Sequence, residues 1–145
     1  MKKVLFILSL VCVMMGFNSC YDEPCTHHAL TLDLRVMQTD WQFDKNAQQY
    51  YFHFEIPEIT PHVYNYGNWT ICREYNYGTT DAYQVALPQS IYMTDTLSDG
   101  GVVYYTQHID YRVGIGYVDI QLTNSDYFYT TENPENMLFR LQLIY

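Results

Sequence analysis

The chain has 145 residues, with 7 basic against 16 acidic side chains and a net charge of −9. That balance leaves no basic face for a nucleic acid, and the length admits one domain built around one core. Tyrosine is abundant at 16 residues and lysine is nearly absent after the first three positions, which opposes a helical bundle and favours sheets.

Lys2 and Lys3 precede an apolar run, Val4 to Met15, broken only by Ser9. About a dozen such residues make the core of a signal peptide and fall short of the ~20 that cross a bilayer as a helix. Gly16, Phe17, Asn18 and Ser19 then lead directly to Cys20. A small residue before a cysteine, just past such a run, resembles the lipobox of bacterial lipoproteins, with Phe17 where leucine is usual. The resemblance implies cleavage before Cys20 and a diacylglyceryl group on its sulfur; the alternative is an ordinary signal peptide and a soluble periplasmic or secreted protein. Two or more acyl chains hold a protein on a membrane stably where one does not. The acidic pair Asp22-Glu23 resembles the export signal that sends such lipoproteins to the outer face of the outer membrane, the alternative being a periplasmic location. The expected organisation is a signal peptide over 1–19, an acidic stalk over 20–28 and a single domain over 29–145. Loss of Lys2 and Lys3 with the leader takes the net charge from −9 to −11.

Cys12 leaves with the leader and Cys20 is taken by lipid, so Cys25 and Cys72 remain. In an oxidising compartment they are either a disulfide or two free thiols. A bridge would close a loop of nearly fifty residues and stabilise by about 4 kcal/mol on the chain-entropy account.

Strict alternation starts at Ala29–Gln38, where Leu30, Leu32, Leu34 and Val36 share one face. Asp44-Lys45-Asn46 turns, and Tyr50–Ile56 returns with Phe52, Phe54 and Ile56 inward; these two runs are expected to form a loose hairpin. Thr60-Pro61 signals a short helix with Thr60 as N-cap, closed by Gly67. Asn68–Tyr75 alternates, Asn76-Tyr77-Gly78 turns, and Ala82–Leu87 is the partner strand. Further strands are expected at Ile91–Leu97, Val102–Val113, Tyr117–Thr123 and Met137–Tyr145. Ser98-Asp99-Gly100-Gly101, Gly114-Ile115-Gly116 and Asn124-Ser125-Asp126 supply turns, and 130–136 a polar loop. Eight or nine short strands without an amphipathic helix predict an all-β fold, an antiparallel two-layer sandwich of the immunoglobulin-like kind, with an up-and-down β-barrel as alternative.

The run Tyr51 to Thr60, then Val85-Ala86-Leu87-Pro88, Leu122 to Phe128 and Leu138-Phe139-Arg140-Leu141 together resemble a family of small Bacteroides-type lipoproteins, each a lipobox signal peptide followed by one all-β domain. The resemblance spans most of the chain after Cys20. It implies an envelope lipoprotein and carries no biochemical activity or site residue with it.

No nucleophile sits in a recognisable catalytic frame. Ser90 and Ser98 lack the Gly-x-Ser-x-Gly turn, and Cys25, Cys72, His53 and His108 fit no thiol-protease signature. His27 and His28 are adjacent and on a strand would point to opposite faces, which suits a stalk better than a chelate. Asp95, Asp99, Asp126, Glu132 and Glu135 lie in loops as calcium's ligands do, without an EF-hand register. No cofactor and no metal are expected. Rings cluster along Pro61–Gly78: Tyr64, Tyr66, Trp69, Tyr75 and Tyr77 are the candidate ligand-binding aromatics, since flat rings stack on sugar faces and exposed apolar patches mark interaction sites; the alternative is that rings fill core and outer sheet face because tyrosine suits strands. Asp95-Thr96-Leu97 resembles the O-glycosylation acceptor of such bacteria, at Thr96. The expected function is a non-enzymatic surface binding or adhesion module for a glycan, or else a structural accessory subunit of an outer-membrane protein assembly.

Overall fold

The computed structural model describes residues 28–97, 99–125 and 133–145. The leader, Cys20, Cys25, His27, Ser98, Asp126 and Glu132 lie outside them. The elements run β1 (Ala29–Val36), a 3₁₀ turn (Gln38–Asp40), β2 (Gln42–Asp44), β3 (Gln49–Glu55), helix α1 (Pro61–Tyr66), β4 (Asn68–Tyr75), β5 (Tyr83–Ala86), β6 (Gln89–Thr96), β7 (Val102–Gly114), β8 (Tyr117–Asn124) and β9 (Met137–Ile144). They form a four-stranded sheet, β1-β9-β4-β5, and a five-stranded sheet, β2-β3-β8-β7-β6, antiparallel throughout. The fold is therefore an all-β sandwich and does not close into a barrel. Among the described strands the first lies beside the last, and His28 and Tyr145 exchange backbone hydrogen bonds of 2.6 and 2.9 Å.

Period-two alternation decides which face of each strand is buried. Leu34 and Val36 on β1, Ile71 on β4 and Phe139, Leu141 and Leu143 on β9 meet Tyr50 on β3, Ile109 on β7 and Val118, Ile120 and Leu122 on β8 in one core. In the five-stranded sheet one end of this core is sealed by the segment after β3. Ile56 N–H donates to Gly116 O and Gly116 N–H to Ile59 O, each at 2.8 Å, which folds the buried Ile56 and Ile59 under the β7–β8 turn. Helix α1 follows with Thr60 as its N-cap, accepting from Val63 N–H at 3.3 Å, and buries Val63.

The expected hairpin between Ala29–Gln38 and Tyr50–Ile56 does not form. β1 pairs with β9 in one sheet and β3 with β8 in the other. The 3₁₀ turn at Gln38–Asp40, held by Met37 N–H donating to Asp40 Oδ2 at 3.0 Å, carries the chain from one layer to the other. The hairpin at Asp44-Lys45-Asn46 is instead β2–β3, where Asp44 Oδ1 accepts from Asn46 N–H at 2.8 Å and from Ala47 N–H at 3.2 Å. Val102–Gly114 is one continuous strand of 13 residues.

Candidate functional site

β7 outruns β8. Its pairing with β8 starts at Gln107, whereas its pairing with β6 starts at Val102, so among the described residues the β6–β7 hairpin extends past the rest of its sheet. Under this overhang the inward phase of the strands changes character. Ile109 and Leu122 are core residues, but the next inward positions are Gln107 and Tyr105 on β7, Asn124 on β8 and Met93 and Asp95 on β6. The segment Asn133–Met137 closes the opposite side, and a cavity of about 490 Å³ lies between. That volume is within the range of small-ligand pockets.

The 133–137 wall is pinned by polar contacts. Gln38 N–H donates to Asn136 Oδ1 at 2.6 Å, and Asn133 Nδ2 to Gln38 O at 3.0 Å. Trp41 Nε1 donates to Glu135 O at 3.2 Å. Arg73, only 6 % exposed, donates from Nη2 to Glu135 Oε1 at 2.6 Å and lies 4.4 Å from the centre of the Tyr75 ring. The base of the cavity is apolar, with Leu122, Met93, Val103 and Met137, and Tyr50 and Tyr105 present rings. Its polar groups are the carboxylates of Asp95 and Glu135 and the amides of Gln107, Asn124 and Asn133. No Lys, Arg or His is among the described lining residues. Such a lining accepts hydrogen bonds and offers flat apolar surface, and it repels anions.

The aromatic residues singled out from the sequence do not line this cavity. They divide into two groups. Tyr64 on α1 stacks on Trp69 with ring centres 5.8 Å apart, and Tyr66 lies against His62 at 5.1 Å. Tyr75 stacks on Tyr83 at 4.9 Å and donates to Gln89 Oε1 at 2.9 Å, while Tyr77 lies under Arg35. Trp69 and Tyr75 are six residues apart on one strand, or ~20 Å. Trp69 packs against the core and Tyr66 and Tyr77 are exposed. Thr96 is exposed, and its N–H donates to Asp95 Oδ1 at 2.8 Å beside the cavity. Cys72 is half-buried and forms no disulfide among the described residues, and its candidate partner Cys25 lies outside them.

Two histidines, His53 and His108, lie on outer faces with partners that periodicity alone does not name. His53, Asp119 and Arg112 face one another across β3, β8 and β7. His53 Nδ1 is 2.6 Å from Asp119 Oδ1, and Arg112 donates from Nε and Nη2 to Oδ2 at 3.0 and 2.6 Å. The hydrogen bond and charge of Asp119 raise the Arg112 pKa above its ordinary value. His108 Nδ1 is 2.8 Å from Ser90 Oγ across the β6–β7 ladder, on an exposed part of the sheet. A Ser–His contact of this kind has the spacing of a nucleophile and base, but no hydrogen bond to a carboxylate orients the imidazole among the described residues. It is a cross-strand hydrogen bond on a flat face. Among the described residues no three His, Cys, Asp or Glu side chains are grouped to hold a metal, and no helix is long and apolar enough to cross a membrane.

Compared with known proteins, the chain matches no family model, no curated protein and no solved structure.

Proposed function

We propose that this chain is a non-enzymatic binding module of the bacterial cell envelope, tethered by lipid at Cys20, and that it takes a neutral glycan in the cavity beneath the β6–β7 hairpin. The observation that carries the reading is the composition of that cavity: about 490 Å³, with tyrosine rings, amides and carboxylates and no cationic side chain among its described residues. Tyr105 offers stacking surface, and Gln107, Asn133 and Asp95 offer hydrogen bonds to hydroxyls. Recognition of a sugar draws on these two kinds of contact together.

The test is retention of the full chain on an array of neutral and acidic glycans, repeated with Tyr105→Ala. Retention of neutral glycans is expected, weakened roughly tenfold or more by the loss of the ring, which corresponds to ~1.4 kcal/mol. Failure on every glycan, together with crosslinked capture of one membrane protein from cells, would favour the second reading, an accessory subunit of an outer-membrane protein assembly. That reading is supported by the exposed Tyr92 and Tyr104 rings. The tether is tested with labelled fatty acid in cells making Cys20→Ala. Incorporation is expected to vanish, and unchanged labelling would sink it. Protease shaving of intact cells separates an outward-facing from a periplasmic domain.

A further inference from the structure

β6 is an outer strand of its sheet, and among the described residues no strand pairs with its free side. Its eight residues pair with β7 in one unbroken register, so the free side is a straight row of backbone donors and acceptors. Edge strands of soluble proteins are commonly blunted by lysine, proline or a bulge. Gln89–Thr96 carries none of these, and its one charge, Asp95 on the inward phase, lies near the end of the strand. The other eight-residue edge, β1, differs in two ways. Its outward face carries Asp33, held by Arg140 at 2.9 Å, and Arg35, and its inward Leu34 and Val36 are already buried. On β6, Ile91 and Met93 are only half-buried and Tyr92 is 70 % exposed.

We propose that the open edge of β6 pairs with β6 of a second copy of this chain, antiparallel about a two-fold axis through Tyr92. In an antiparallel pair, residues directly opposite share a face. Centring on Tyr92 places Ile91 opposite Met93 of the second copy on the inner face, apolar on apolar. Ser90 then meets Thr94 of the second copy, and Asp95 meets Gln89 of the second copy, an amide donor for the only charge on the strand. Moving the centre to Met93 would set Ile91 against a carboxylate. The Tyr92 register also continues a feature already present: Tyr92 and Tyr104 stack with ring centres 5.9 Å apart. Two copies joined at Tyr92 carry the stack through as a ladder, Tyr104–Tyr92–Tyr92–Tyr104, across a sheet doubled from five strands to ten. Tyr104, 61 % exposed, gains a continuous neighbour row.

The full chain purified in detergent reports the state by light scattering, and cysteine crosslinking reports the register. Opposed residues of an antiparallel pair have Cα atoms about 4.5–5.5 Å apart, within disulfide reach. Tyr92→Cys is expected to give a dimer on a non-reducing gel that collapses with reductant, above the background of the native cysteines. Thr94→Cys alone is expected to stay unlinked, because position 94 faces position 90. Both sites are exposed, and circular dichroism checks that each variant keeps its sheets. A monomeric wild-type chain, a dimer that Tyr92→Cys fails to link, or a Thr94→Cys that links as readily would each overturn the proposal. Glycan retention through the cavity is read separately.

Discussion

Arg73 has its guanidinium inside the sandwich while its partner Glu135 stays largely in water, so the two ends of this ion pair are not equivalent. Breaking a buried pair from the carboxylate side strands a desolvated cation, whereas replacing the cation by an apolar chain of similar volume strands nothing. Glu135→Ala is therefore expected to lower stability to urea by roughly 1–3 kcal/mol, discounted for the exposure of the carboxylate. Arg73→Met is expected to stay within about 1 kcal/mol of the parent. Equal losses in the two variants would refute this asymmetry. Asp119 is the mirror case, a buried carboxylate with half-exposed and exposed partners in His53 and Arg112. Because Asp119 raises the Arg112 pKa, Arg112 stays protonated below its ordinary value and loses the proton only above it. Across the working pH range it is a fixed positive charge.

At the level of strands and turns, Gly114 and Tyr117 face each other at the end of the β7–β8 ladder, and a Cβ built on Gly114 would fall 2.2 Å from the Tyr117 ring. That ring also lies 5.2 Å from His53. Gly114→Ala is expected to push it aside and cost about 1–3 kcal/mol, seen as a lower urea midpoint. A neutral result would mean that the ring moves freely. The sequence makes the faces of these strands readable, since Leu30 to Val36, Asn68 to Tyr75 and Tyr117 to Asn124 alternate cleanly and α1 carries its own cap. It does not make partners readable. Alternation says which side of Ala29–Val36 is buried and is silent on whether β3 or β9 lies beside it; a three-residue 3₁₀ turn decided that. The cavity is not read from the sequence, which places Asp95 among loop acids and Asn124 in a turn; the structure puts them on β6 and β8, and with Gln107 they are polar residues on the inward phase of otherwise apolar strands, the signal that could have shown it. The count of rings between Pro61 and Gly78 pointed elsewhere, because residues close in sequence along an extended strand are far apart in space.

Across the whole molecule, the core is sealed under the β7–β8 turn and opens into a cavity at the overhanging end of the same sheet. A net charge of −9 surrounds an opening whose described polar groups include two carboxylates. Acidic glycans are accordingly expected to be held less than neutral ones on the same array, and a preference for acidic glycans would contradict this electrostatic reading. β9 holds its sheet together, since it pairs with both β1 and β4. Deletion of Met137–Tyr145 is expected to abolish cooperative unfolding, followed by circular dichroism; a surviving sharp transition would show that β9 is dispensable. The place of β9 also sets a schedule for biosynthesis. Among the described strands the first to be made, β1, has its mate in the last, β9, so the apolar face of Leu30, Leu32, Leu34 and Val36 waits uncovered while the strands between them are made. Such long-range closure is slow, so this sheet is expected to assemble only once β9 has joined the strands made before it.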